Sequence, residues 1–166
     1  YHWSHLELKR FFGVEETLSE KTADIIWEKC NKAIKENKLT AKKLIEMANV
    51  VYIGTTDDPI DDLKYHKQIK EDDNFKCSVN PSFRPEKAMK IQNKGFKEYI
   101  DKLSEVSNIE IKSFNDLERA LEVRLDYFYE NGCMITDHSL ERVVFYNYSC
   151  EEINKIFIKA LNDEYK

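Results

Sequence analysis

Side chains able to do chemistry gather at three points along this 166-residue chain. Thr55, Thr56, Asp57 and Asp58 stand together, Ser82 and Arg84 follow, and Asp137 adjoins His138. Arg84 offers a planar fork of donors that matches a carboxylate or a phosphate. An Asp-His pair at the end of a strand supplies a general base, an orienting acceptor or a metal ligand. Each point also has a plainer reading. Asp57 and Asp58 before Pro59 suit a turn and a helix cap. Arg84 before Pro85 suits a solvated loop residue paired with Glu86, and Asp137-His138-Ser139 suits a simple turn. His66, on a charged helical stretch, reads as a surface residue. His2 and His5, three apart, are a weak metal signal, and no HxxEH or CxxC pattern occurs.

These residues can act together only if the elements carrying them converge. Val50-Val51-Tyr52-Ile53 is β-branched and aromatic, reads as a buried strand and empties at Gly54 into the Thr55–Asp58 loop. A second strand is expected from about Lys76 to Ser82, and a third at Cys133-Met134-Ile135-Thr136. The intervals between them are long enough for helical crossovers, so the strands are expected to be parallel, with right-handed connections. Parallel strands bring their C-terminal loops to one rim, where α/β proteins keep their sites. Three strands leave faces and edges to cover, which reads as an arc of a larger barrel.

Helical signals supply the rest. Asp58 with Pro59 predicts a helix start, with Asp61 and Asp62 in its first turn. Pro85 opens a helix from Glu86 towards Ile100, with Ala88, Ile91 and Tyr99 inward and Gly95 able to split it. Ser113 with Asp116 opens the clearest helix, whose stripe is Phe114, Leu117, Leu121, Leu125 and Phe128, and Asn131-Gly132 closes it. Ser149 with Glu152 caps a last helix with Ile153, Ile156, Phe157 and Ala160 inward. Residues 1–48 carry helical signals only. A helix stops at Gly13, Thr17 with Glu20 fits a capping box, Ile25, Ile26, Cys30, Ala33 and Ile34 form a stripe, and Thr40 caps a helix through Met47. The aromatics at 11–12 and 145–148 read as core.

The totals restrict the function. Net charge is −5 with a pI near 5.5, so no basic excess favours nucleic acid or an anionic membrane. No apolar run approaches the roughly 18 residues of a membrane span, and no signal-peptide pattern appears. Cys30, Cys77, Cys133 and Cys150 are scattered, which argues against a zinc or redox motif and for buried reduced thiols in the cytoplasm. The chain begins at Tyr1 without Met, inside an aromatic stretch, which reads as a fragment or a processed product.

Four stretches in order, YHWSHLELKRFFG, TTDDPIDDLKYH, PSFRPEKA and TDHSL, resemble bacterial uronate (glucuronate) isomerases of the amidohydrolase superfamily. The resemblance implies a helix-rich α/β fold. Residues 1–48 would be a helical insertion subdomain, and residues 49–166 a partial (β/α) TIM-barrel-like segment with about three parallel strands. It implies an aldose–ketose isomerase of carbohydrate metabolism, interconverting D-glucuronate with D-fructuronate and D-galacturonate with D-tagaturonate. Arg84, Thr56 and Asp57 would bind substrate, and Asp137 and His138 would take part in proton transfer. A divalent metal, zinc, is implied for the parent enzyme. None is expected on this chain alone, because the family's His-x-His pair and its last metal-binding Asp are not in it. Glu86 stands where the family commonly has Asp, a conservative change. The expected partners are a uronate sugar and the remainder of a parent chain, with a homo-oligomer through exposed edges as a further expectation. The isolated chain is expected to be inactive. Two other readings are a non-catalytic module binding acidic sugars and a structural or oligomerisation segment.

Overall fold

The computed structural model describes residues 2–139 and 145–162. Tyr1, Leu140 and the start of the apolar block at Val143 and Val144 lie outside them. The chain forms two compact units, Tyr1–Tyr52 with Asp73–Ser78, and Ile53–Asp72 with Val79–Lys166.

The first unit is helical, with α1 (His2–Phe12), α2 (Ala23–Glu36) and α3 (Ala41–Met47). Gly13 at φ 66° ends α1, its N–H donating to Lys9 O. Thr40 accepts from Lys43 N at 3.2 Å and caps α3 as expected. The Thr17–Glu20 capping box does not form. Thr22 precedes α2, and its hydroxyl donates to Thr17 O at 2.6 Å and accepts from Ser19 N at 2.9 Å, so a local turn takes up the segment before the helix begins. Ile26 is buried on α2, but Ile25 and Ile34 are exposed. One face of α2 therefore packs more narrowly than its apolar pattern suggests.

β1 (Tyr52–Gly54) pairs with β2 (Ser78–Asn80). The expected strand is present, shifted by two residues, but it is not buried, since Tyr52 within it is 39% exposed and Val51 just before it 79% exposed. β3 (Ser82–Phe83) follows β2 after Pro81. The expected single strand is thus broken, because a proline has no N–H for the ladder. In the second unit Thr55 N donates to Asn80 O and Asp57 N to Ser82 O, while Arg84 N donates to Asp57 O. Asp57 bridges Phe83 in the parallel sense. β4 (Ile135–Thr136) pairs with β3, also parallel, with Ser82 opposite Ile135 and Phe83 opposite Thr136. The β3–β4 pairing is parallel as expected, and the strands form two small sheets instead of one continuous one.

The helix expected at Pro59 starts later. Pro59 and Ile60 form a turn, and α4 (Lys64–Lys70) begins after Leu63, whose φ is 54°. The Asp58 carboxylate accepts from Ile60 N and the Asp61 carboxylate from Asp58 N, an arrangement that rewards a turn. Arg124 then takes Pro59 O at 2.7 Å and Asp61 O at 2.9 Å, carbonyls that a helix would have used for itself.

α5 (Glu86–Met89), α6 (Phe96–Ser107), α7 (Phe114–Glu130) and α8 (Cys150–Leu161) build the main core. Gly95 at φ 86° does divide the expected helix. Ser113 with Asp116 and Ser149 with Glu152 form complete capping boxes. Phe96, Ile100, Leu103, Leu117, Ala120, Phe157 and Ala160 pack together. A second cluster, of Leu63, Phe83, Phe128 and Cys133, lies beneath the strand ends, with Phe83 edge-on to Phe128 at 5.2 Å. On α7 the buried line is Leu117, Ala120, Arg124 and Phe128, and Leu125 is exposed. The expected stripe thus turns slightly to admit Arg124. Phe145, Tyr146 and Tyr148 are exposed, contrary to a core role, since they precede α8 in non-helical backbone. Among the described residues no helix is long and apolar enough to cross a membrane.

Candidate functional site

A cleft of about 230 Å³ in the second unit is lined by Thr56, Asp57, Asp58, Arg84, Glu86 and Lys87. It opens where the loop after β1 runs beside β3, so the parallel ladder itself brings Asp57 and Arg84 to one place. Three of the expected substrate-binding residues, Thr56, Asp57 and Arg84, therefore share a cleft.

Arg84 is the cationic centre. Its Nη2 donates to Glu86 Oε1 at 2.8 Å, and its Nε lies 3.0 Å from Asp137 Oδ1. That second contact is an ion pair at an angle unsuited to a hydrogen bond, so the buried Nε has no hydrogen-bond partner. Nη1 makes no hydrogen bond or ion pair among the described residues. A guanidinium held by one edge, with donors still uncommitted, is set up to receive an anion or a hydroxyl-rich ligand.

Glu86, outside the expected site list, ties the cleft to the chain after β4. Its Oε1 also accepts from Ser139 N at 2.8 Å. The Ser139 amide, and after it Arg84 and Lys90, hold the Glu86 carboxyl below its ordinary value, with partial burial acting the other way. Both readings of Arg84 thus hold at once, since it pairs with Glu86 and still faces the cleft. Asp137 joins it from the β4 end, its side chain 56% exposed. His138 is exposed and has no partner among the described residues, so the two members of the expected Asp-His pair do not act on each other.

Asp58 and Lys87 close the other side. Lys87 Nζ is 3.2 Å from Asp58 Oδ2, and the Tyr99 hydroxyl donates to Asp58 Oδ1 at 2.9 Å. Burial first, and then the adjoining Asp58 charge, push the Tyr99 phenol far up, so it remains a donor. Asp58 is thereby a turn residue anchored to α6, the plainer of its two sequence readings.

His66 departs from its expected surface position. Its side chain is only 13% exposed, its Nε2 lies 2.7 Å from Thr55 Oγ1, and it stands 3.6 Å from Asp57 Oδ1. The sequence contained one cue, since His66 ends the same TTDDPIDDLKYH stretch that carries Thr55 and Asp57.

Among the described residues no three His, Cys, Asp or Glu side chains converge as a ligand set. The cleft's carboxylates are committed to Arg84, Lys87, Thr55 and backbone amides, so the residues present do not fit a divalent ion.

Comparison with known proteins bears on the whole chain. A family model described as glucuronate isomerase matches residues 1–166. The uronate isomerase of Clostridium perfringens is 87% identical over 164 residues, covering 99% of this chain and 35% of the relative. That of Clostridium acetobutylicum is 47% identical over the same length. The uronate isomerase structure from Thermotoga maritima superposes with a TM-score of 0.88 at 31% identity, over 100% of this chain and 36% of that one. The glucuronate isomerase structure from Caulobacter crescentus matches with a TM-score of 0.85 at 20% identity, over 99% of this chain and 34% of that one, a likeness of fold. The chain spans about a third of the length of the curated relatives it matches.

Proposed function

The chain belongs to the glucuronate isomerase family, and from that premise we propose that it is part of an enzyme interconverting D-glucuronate with D-fructuronate and D-galacturonate with D-tagaturonate. Relatives named uronate isomerase support the activity. The observation that carries the proposal to particular residues is the arrangement of Arg84. It stands 3.0 Å from Asp137 with donors uncommitted, over a cleft that also holds Thr56 and Asp57.

In this reading Arg84 grips the uronate carboxylate, and Thr56 and Asp57 meet sugar hydroxyls. Asp137 serves the proton transfer, with His138 beside it on the β4 side. The C2 proton leaves as the C1 carbonyl oxygen gains one, giving an enediol. C1 then takes a proton as the C2 hydroxyl loses one, so the net change is one hydrogen moved from C2 to C1 and one from the C2 oxygen to the C1 oxygen, with no external oxidant. Arg84 beside Asp137 places the anionic end of the sugar and the proton-transferring group in one frame, which is the main requirement for such a step.

We further read residues 1–48 as a helical insertion and residues 49–166 as an arc of a (β/α)₈ barrel. The parallel β3–β4 pair and the Asp57–Phe83 bridge support this. A cytoplasmic location fits four free cysteines, of which Cys77 and Cys133 are buried as expected, Cys30 is half-buried and Cys150 is exposed. The family resemblance implies a divalent ion, but the donors here do not fit one and no step is assigned to it. The isolated chain is inactive in this reading.

The test is a chimera in which this chain replaces its matched segment in the Clostridium perfringens enzyme. It should turn over D-glucuronate, and Arg84→Ala should lower kcat/KM by about a hundredfold, or ~2.7 kcal/mol of transition-state binding. A folded chimera without turnover, or an Arg84→Ala variant with unchanged kinetics, would overturn the proposal. Glucuronate binding that is lost in Arg84→Ala, without any turnover, would favour a non-catalytic module.

A further inference from the structure

One part-buried cluster at the cleft contains two residues, His66 and Thr55, with no part in the roles assigned so far. His66 on α4, Thr55 and the cleft residue Asp57 form a closed triangle. Thr55 Oγ1 lies 2.6 Å from Asp57 Oδ2, 2.7 Å from His66 Nε2 and 3.2 Å from Asn80 O. A hydroxyl donates one proton, and the direction of each bond follows from its partners. Asp57 Oδ2 and Asn80 O can both only accept, and the much shorter, charge-assisted contact to Asp57 takes the Thr55 proton. The oxygen then has lone pairs to offer, and His66 Nε2 must carry a hydrogen to use them. The opposite assignment would set a bare imidazole nitrogen 3.6 Å from Asp57 Oδ1 and leave two oxygens 2.6 Å apart without a proton between them. The charge on the ring does not alter this, since Nε2 is protonated either way.

The relay continues into the site. Asp57 Oδ2 also accepts from Ser82 N at 3.1 Å, and the Asp57 backbone accepts from Arg84 N at 3.0 Å. Asp57 is therefore gripped by its side chain on one side while its carbonyl holds the backbone of Arg84 on the other. Asp57 and His66 side chains are 12% and 13% exposed, so water competes little for these bonds.

We propose that His66 is a positioning residue of this cleft, donating from Nε2–H to the Thr55 hydroxyl so that Asp57, and through it the backbone of Arg84, keeps its place. The inference rests on the reading of the cleft as the uronate site. His66 does not touch substrate. It sets where Arg84 meets the carboxylate, so its loss acts on substrate affinity more than on the proton transfer.

In the chimera, His66→Leu removes the donor at similar bulk, His66→Gln keeps an N–H at the same reach, and Thr55→Val removes the relay hydroxyl. His66→Leu and Thr55→Val should each raise the KM for D-glucuronate about tenfold, with kcat within about threefold. The double variant should be no worse than either single one, and His66→Gln should recover KM to within about twofold. Nitrogen-15 NMR should find the His66 proton on Nε2. Exchange of the Ser82 amide should accelerate in His66→Leu and not in His66→Gln. Additive effects, a His66→Gln variant as impaired as His66→Leu, a kinetically silent His66→Leu, or a bare Nε2 would each overturn the role. Failure of the uronate reading itself would appear as a silent Arg84→Ala, while the NMR and exchange measurements would still decide the relay.

Discussion

Glu86 joins three partners at one carboxylate. Oε1 accepts from Arg84 and from Ser139 N, and Oε2 lies 3.6 Å from Lys90 Nζ. Those partners hold its carboxyl below the ordinary value of 4.5. A carboxyl with a depressed folded-state pKa adds stability above its unfolded value and loses it as pH falls through the folded one. Glu86→Gln should therefore lower the urea midpoint at neutral pH, and the gap from the parent chain should close as pH drops below 4.5. A gap that stayed constant across that range would mean the charge is not what matters. The Arg84–Glu86 pairing could be read from their two-residue spacing. The Ser139 contact could not, because it joins residues 53 apart.

At the scale of elements, Arg124 decides where α4 begins. Its Nε donates to Pro59 O and its Nη2 to Asp61 O, its guanidinium lies 4.1 Å from the centre of the Tyr127 ring, and the Tyr127 hydroxyl donates to Asp62 O at 2.5 Å. The residue is only 7% exposed, so Arg124→Met would leave carbonyls unpaired in a dry setting. The cost should be about 3 kcal/mol by urea denaturation, with Arg124→Lys recovering less than half because a lysine cannot reproduce the fork. A loss below about 1 kcal/mol would show that water replaces the guanidinium without penalty. Asp58-Pro59 locally favours a helix start, and an arginine 65 residues away overrides it. The Ser113–Asp116 and Ser149–Glu152 boxes were legible because a cap is a three-residue spacing with no distant partner.

Taken as a whole, the chain leaves strand and aromatic surface open. β4 ends its sheet, and Met134 and Ile135 are 74% and 47% exposed. An uncovered apolar edge of this kind invites pairing with another chain. The isolated chain should self-associate as its concentration rises, measured by light scattering, and Ile135→Lys should reduce that association. A monomer at every concentration would remove the edge from consideration.

The sequence by itself determined the family, the parallel sense of the strands, most helix ends and the meeting of Arg84, Thr56 and Asp57 at one rim. Each of these rests on local spacing, or on a topology that few connections permit. Tertiary structure alone decided that His66 turns inward, that Glu86 reaches Ser139, that Leu125 yields its place to Arg124, and that Val51 and Phe145 stay exposed. Those outcomes depend on which groups remote in the chain compete for the same hydrogen bonds and the same buried space. Periodicity, which sees one element at a time, carries no record of that competition.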